Sequence, residues 1–153
     1  MLKKISKLLK NQRGLTLVEL LAVVVILGII SAIAVPSIGG LIENSKRDAH
    51  IANAQMMVNA AKLAMSSEEF GGKTEITLEE LEQNGYLEEV KNPSNKDSGY
   101  DKKNSHVVIA DYKVVLKSTD TTYLDGLKDP FDMKRSEVDL KKDTTTDPGP
   151  DGE

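Results

Sequence analysis

The 153-residue sequence predicts an α+β fold: a long N-terminal α-helix, half membrane-spanning and half amphipathic, packed on a small antiparallel β-sheet. Three observations carry that expectation. A run without charge at residues 20–42 follows a basic leader. Apolar residues then recur at spacings of three and four as far as Ala64. Past residue 104, short β-prone runs lie between stretches rich in Asn, Ser, Gly and Asp.

The leader, residues 1–14, carries Lys3, Lys4, Lys7, Lys10 and Arg13 and no acid. The whole chain has net charge -4, so these five cations leave -9 on the remainder. A body that acidic is a poor general binder of nucleic acid, whose affinity rests on phosphate neutralisation. No direct nucleic-acid binding is expected. A positive end before an apolar run orients a single-pass chain with its N-terminus on the cytoplasmic side. The expected location is therefore the cell membrane, and membrane lipid is the first expected partner.

Residues 20–42 make a run of about 23 residues, roughly 34 Å as helix, enough to cross a bilayer. Glu19 stands at its start. An unpaired carboxylate near mid-bilayer costs at least about 2.5–3.5 kcal/mol, so a partner is expected for it. At the headgroup boundary the cost is small, and that reading stays open. Pro36 removes an intrahelical hydrogen bond and should bend or locally melt the helix. Gly28 adds a second soft point. Ala22, Gly28, Ser31, Ala32 and Ala34 are small enough for helices to approach closely.

Past Pro36 the pattern stays helical. Ile38, Leu41, Ile42, Ser45, Ala49, Ala52, Met56, Ala60, Leu63 and Ala64 form the expected apolar stripe, to be laid on the globular part. Glu43, Lys46, Arg47, Asp48, Asn53, Asn59 and Lys62 fall on the other side. Gly71-Gly72 should end the helix near Phe70, which makes it roughly 80 Å long from Leu15. Met56, Met57 and Met65 read as gap-filling core. His50 sits among polar neighbours and reads as an exposed helix residue rather than a ligand.

Thr77 with Glu80 three residues on reads as a capping box. It opens a short helix at residues 78–83, closed by Asn84-Gly85, with Tyr86 and Leu87 packing back on the core. Residues 92–104 read as a loop. Residues 105–110 and 112–118 are β-prone, with Val107, Ile109, Val114 and Leu116 on one side and Val108, Val115 and Lys117 on the other. The tight link at Asp111 allows either a hairpin or one bent strand. A third short strand fits residues 122–124, and residues 136–142 fit either a strand or a helical turn. Residues 144–153 are polar, carry two prolines and read as a disordered tail.

Cysteine is absent, which excludes a disulfide framework, thiol catalysis and Cys-ligated zinc. Ser/His/Asp arrangements, phosphate loops and metal-spaced histidines are not found. The chain is not expected to be an enzyme or to carry a cofactor. Asp125, Asp129 and Asp132, with Asp120, crowd one loop and are weak metal candidates. Calcium takes six to eight oxygens, so a solvated acidic turn is the plainer reading.

Three readings of the N-terminus compete. A secretory signal would end at Ala32-Ile33-Ala34, yet its h-region would be long, with an acid at its start. A plain anchor gives Glu19 no role. The third rests on likeness: Arg13-Gly14-Leu15-Thr16-Leu17-Val18-Glu19-Leu20 resembles the processing site of type IV pilins and of the pseudopilins of type II secretion and competence machines. The resemblance covers about residues 10–50. It implies cleavage between Gly14 and Leu15 by a prepilin peptidase and N-methylation of Leu15, with Glu19 as the fifth mature residue. Leu15 departs from the usual Phe. Gly28 and Pro36 fall where the family's helix loosens and kinks. Leu81-x-x-x-Gly85-Tyr86-Leu87 resembles the segment after the long helix in many Gram-positive pilins. Asp129-Pro130-Phe131 faintly resembles a loop of major pseudopilins, some of which hold calcium.

The resemblance implies a pilin-like fold and a structural subunit of a type IV pilus or pseudopilus, with Glu19, Gly28 and Pro36 serving assembly. Implied partners are copies of itself and other pilins, the peptidase and methylase, and a membrane assembly platform. It divides the chain into a cleaved leader (1–14), a membrane and filament-core helix (15–36), a globular domain (37–143) and a tail (144–153). The alternative is a monomeric, single-pass membrane-anchored binding module outside the cell. Lack of cysteine disfavours the disulfide-bearing competence pilins.

Overall fold

The computed structural model describes residues 2–67, 70–95 and 97–141, with side chains from residue 16 onward. The tail expected at 144–153 and the side chains of Gly14 and Leu15 lie outside the described residues. The chain forms two compact units, Met1–Ile42 and Glu43–Glu153.

Helix α1 runs Leu2–Ser66. It begins earlier than expected, inside the leader, where Leu, Lys and Gln are all good helix formers. It also stops short of Phe70. The Ser66 hydroxyl donates to the Leu63 carbonyl at 2.6 Å, and the Ser67 hydroxyl donates to that of Ala64 at 2.7 Å. These bonds satisfy carbonyls that the last turn would leave without an intrahelical donor. Helical geometry is unbroken through Gly28 and Pro36, so neither position is locally melted in the single chain.

In the second unit, β1 (Glu75–Thr77), β2 (His106–Val108), β3 (Lys113–Lys117) and β4 (Thr122–Asp125) form one sheet in sequential order, every neighbour antiparallel. Strand β1 was not expected. It has only three residues and takes its pairing from β2, with Ile76 opposite Val107. Strands β2 and β3 are a hairpin rather than one bent strand, with Val107 opposite Val114. The reversal places Tyr112 at φ 53, a left-handed backbone rare outside glycine. Val107, Val114 and Leu116 are fully buried, as the alternation predicts. Residues Arg135–Glu137 form a 3-10 turn, which settles the C-terminal choice in favour of a helical turn.

Helix α2, Leu78–Gln83, carries the expected capping box: the Glu80 amide donates to the Thr77 hydroxyl, and the Thr77 amide donates to the Glu80 carboxylate. Leu78 and Leu81 enter the core, and the amides of Tyr86 and Leu87 both return to the Leu81 carbonyl.

The face that α1 buries is not the expected one. Ala54, Met57, Val58, Ala61 and Ala64 join Ile76, Leu81, Val107, Val114, Leu116 and Leu124 in one core. Ala60 and Ala64 of the expected stripe are buried, but Ala52, Met56 and Leu63 are exposed. Met57 alone of the three methionines is fully buried, while Met65 packs partly on the core. His50 is a further correction, since it is completely buried.

Candidate functional site

The described residues of the first unit are all helix. Sixteen large apolar side chains between Leu17 and Ile42 are exposed in the single chain, each by at least half. The helix over Thr16–Ser66 contains a window of mean hydropathy 2.8, near the N-terminus, and is long and apolar enough to cross a membrane. The run Val23-Val24-Val25-Ile26 is β-branched and helix-neutral at best. In hydrocarbon the helix wins regardless, because it satisfies every backbone polar group within the segment. Glu19 is exposed two residues inside this surface. A Cβ added at Gly28 would meet nothing within 4 Å. Among the described residues nothing requires that glycine, which costs the helix about 1 kcal/mol relative to alanine. Pro36 lies inside the helix. The single chain thus presents Glu19, Gly28 and Pro36 along one continuous helix, and Gly14 and Leu15 belong to the same helical backbone.

In the second unit the polar chemistry gathers around His50. Its Nδ1 lies 2.7 Å from the Tyr100 hydroxyl, and its Nε2 lies 2.9 Å from the Ser94 hydroxyl. Asn53 donates to the same Tyr100 oxygen at 2.9 Å. In the neutral imidazole one ring nitrogen donates and the other accepts, so one of these two hydroxyls donates to the ring and the other accepts from it. The ring stacks on Tyr123 with centroids 4.0 Å apart, and Tyr100 meets it edge-on at 5.7 Å. Burial holds the His50 pKa down at about 4, with the charge of Lys46 acting in the same direction. Burial also raises the Tyr100 pKa, so its hydroxyl keeps its proton at any physiological pH.

Asn92, also buried, extends the network. Its amide donates to the Gly99 carbonyl and the Tyr123 hydroxyl, and its oxygen accepts from the amides of Ser94 and Asn95. Helix α1, the loop of residues 92–104 and strand β4 are fastened together at this point. The sequence offered one clue to it: four tyrosines, no tryptophan, and a loop dense in Asn and Ser.

The C-terminal turn is held by two adjacent residues of α1. Arg47 donates to the Val138 carbonyl at 2.7 Å. Asp48 accepts two bonds from the Arg135 guanidinium, at 2.6 and 2.7 Å. That guanidinium lowers the Asp48 pKa.

The acidic loop uses its carboxylates locally. Asp125 accepts from the Leu127 amide at 3.1 Å, and Asp129 from the Phe131 amide at 2.9 Å. Asp132 is exposed, and its amide donates to the Asp129 carbonyl. Among the described residues there is no group of three or more His, Asp or Glu side chains placed to hold a metal ion.

No curated protein and no solved structure matches the chain. Residues 9–35 match the prokaryotic N-terminal methylation motif. That stretch holds the end of the leader, Gly14, Leu15, Glu19, Gly28 and most of the exposed apolar helix. That motif is the hallmark of type IV pilin and pseudopilin precursors, and it supports reading the chain as one of them.

Proposed function

We propose that the chain is a structural subunit of a type IV pilus or a pseudopilus. Its leader, residues 1–14, is removed by hydrolysis of the Gly14–Leu15 peptide bond, and the new amine of Leu15 is then methylated. The mature helix over residues 15–36 first spans the membrane and later packs in a filament with copies of itself and other pilins. Residues 37–143 form the exposed domain.

The observation that carries this reading is the methylation motif lying on a helix whose apolar surface is bare. Leaving one large apolar side chain in water forgoes about 1.5–3 kcal/mol. A surface built from many of them calls for hydrocarbon or other helices. Before assembly the bilayer supplies the cover, and afterwards neighbouring subunits do. Gly28, whose missing side chain faces open space among the described residues, suits close approach of a neighbour's helix. The segment between Gly28 and Pro36, helical in the single chain, is where the subunit can extend within a filament.

Glu19 gains its partner only after cleavage. The Leu15 amine is then cationic and becomes the natural counter-ion, supplied by the neighbouring subunit. In low dielectric a half-made ion pair is far more costly than a complete one. A subunit that neutralises Glu19 is therefore admitted in preference to one out of register. The test is Glu19→Ala. The variant should be cleaved and membrane-inserted at normal levels but yield no sedimentable filaments. Normal filaments from it would remove Glu19 from assembly.

A further inference from the structure

Beyond the buried side chain of Asn92 the chain runs as Pro93-Ser94-Asn95 past the ring of His50. These three residues are half-buried, whereas Asn92 and His50 are buried. The amides of Ser94 and Asn95 both donate to the Asn92 carboxamide oxygen, so those bonds stay within the loop. Asn95 accepts only from the amides of Asp97, Ser98 and Gly99, again within the loop. Among the described residues, one hydrogen bond ties Pro93-Ser94-Asn95 to another element. It joins the Ser94 hydroxyl to His50 Nε2 of α1 at 2.9 Å.

The group at the other end of that bond can change its charge. Three residues touch the His50 ring: Ser94 and Tyr100 from the loop and Tyr123 from β4. Tyr100 and Tyr123 are buried and anchored, Tyr100 by Asn53 and Tyr123 by Asn92. Ser94 alone of the three is half-buried. Burial keeps the Tyr100 hydroxyl protonated and neutral. Among the described residues the one charge acting on the ring is Lys46 of the same helix, a cation. No carboxylate stands there to pair with an imidazolium. A charge buried without a partner is costly, so a protonated ring must gain water, and the Ser94 side is the one that can yield it.

We infer that the Ser94–His50 bond is an acid-released latch. When the ring takes up a proton, residues 93–95 swing off α1, water reaches Nε2, and the rest of the domain stays folded. Pro93 lines a surface cleft of about 640 Å³ together with Val90, Asn92 and Tyr100, so the swing moves one wall of that cleft. The latch does not depend on the filament reading.

The test is amide hydrogen exchange of the full chain in detergent micelles at pH 7.5 and pH 5, read at the Ser94 and Asn95 amides and corrected for the intrinsic pH dependence of exchange. A ring that titrates at the ordinary 6.5 when released and at about 4 when latched favours the released form about thirtyfold more at the lower pH. Protection of the two amides should fall by about that factor. Low urea should not alter it, because a local opening exposes little surface. The Val114 amide, in the central strand β3, exchanges through unfolding of the domain and should respond to urea. His50→Gln keeps a donor and an acceptor but takes up no proton, and it should abolish the fall. Lys46→Glu, at a half-buried position, sets a carboxylate where a cation stood and should shrink the fall at least threefold. The latch is overturned if protection at Ser94 and Asn95 does not fall, if it follows urea as Val114 does, or if the fall is unchanged in His50→Gln or in Lys46→Glu.

Discussion

His50 should make the exposed domain sensitive to mild acid, and substituting it should remove that sensitivity. In the folded chain the imidazole is held neutral, with a pKa of about 4 against the ordinary 6.5. Above pH 6.5 it is neutral whether folded or unfolded, and its contribution to stability is complete. Between pH 6.5 and 4 the unfolded chain binds a proton that the folded chain refuses, so stability falls as pH falls. Below about pH 4 both forms are protonated and the loss levels off. A gap of about 2.5 units corresponds to roughly 3 kcal/mol, at about 1.4 kcal/mol per unit. That is a large fraction of the stability of an ordinary domain, typically about 5–15 kcal/mol.

The geometry gives the same direction. A protonated ring must donate from both nitrogens, so the hydroxyl that donates to the neutral ring has to turn its proton away from it. The assay is urea unfolding of the full chain in detergent micelles from pH 4 to 8, followed by tyrosine fluorescence, since Tyr100 and Tyr123 flank the ring and no tryptophan interferes. His50→Leu should cost about 2 kcal/mol at pH 7.5, because Ser94 loses a buried partner. The slope between pH 6.5 and 4.5 should flatten in the variant. Carboxylates held by cations, such as Asp48 and Glu137, lose their contribution only at lower pH, and they do so equally in both proteins. A wild-type profile flat from pH 7 to 4.5, or a slope that survives in His50→Leu, would refute the reasoning.

Thr77→Ala removes the hydroxyl that caps α2 and should lower stability by about 1 kcal/mol in the same unfolding assay. Gly126→Ala should be worse than a typical surface change. Its backbone has φ +77, and the new Cβ would lie 2.9 Å from Val115 Cγ2, so a loss of more than about 1 kcal/mol is expected. Titrating the chain with calcium in a calorimeter should give no heat, because Asp125 and Asp129 already accept from the amides of their own turns; a saturable heat abolished by Asp129→Asn would establish a site there.

The features legible in the sequence were those written in neighbouring residues. Thr77 and Glu80 specify a cap three residues apart, and alternation about Asp111 specifies which side chains of a hairpin turn inward. The methylation motif is likewise local. What escaped depends on distant pairing. Strand β1 has three residues and exists only because β2, some thirty residues on, lies beside it. His50 looked solvated because its sequence neighbours are polar. The partners that bury it, Ser94, Tyr100 and Tyr123, come from a loop and a strand far along the chain. The rotated stripe on α1 has a related cause. That helix carries two apolar faces, and the one built from Ala54, Val58 and Ala61 is the less hydrophobic to read. Periodicity found the larger side chains, Met56 and Leu63, which face away from the domain.

The central claim is that this chain matures at the Gly14–Leu15 bond before it acts, and the intact mass of the protein extracted from membranes tests it most directly. The account predicts one mature species that begins at Leu15 and carries one added methyl group. A species retaining Met1 would mean a plain anchor, and one beginning at Val35 would mean a secretion signal; either result contradicts the account.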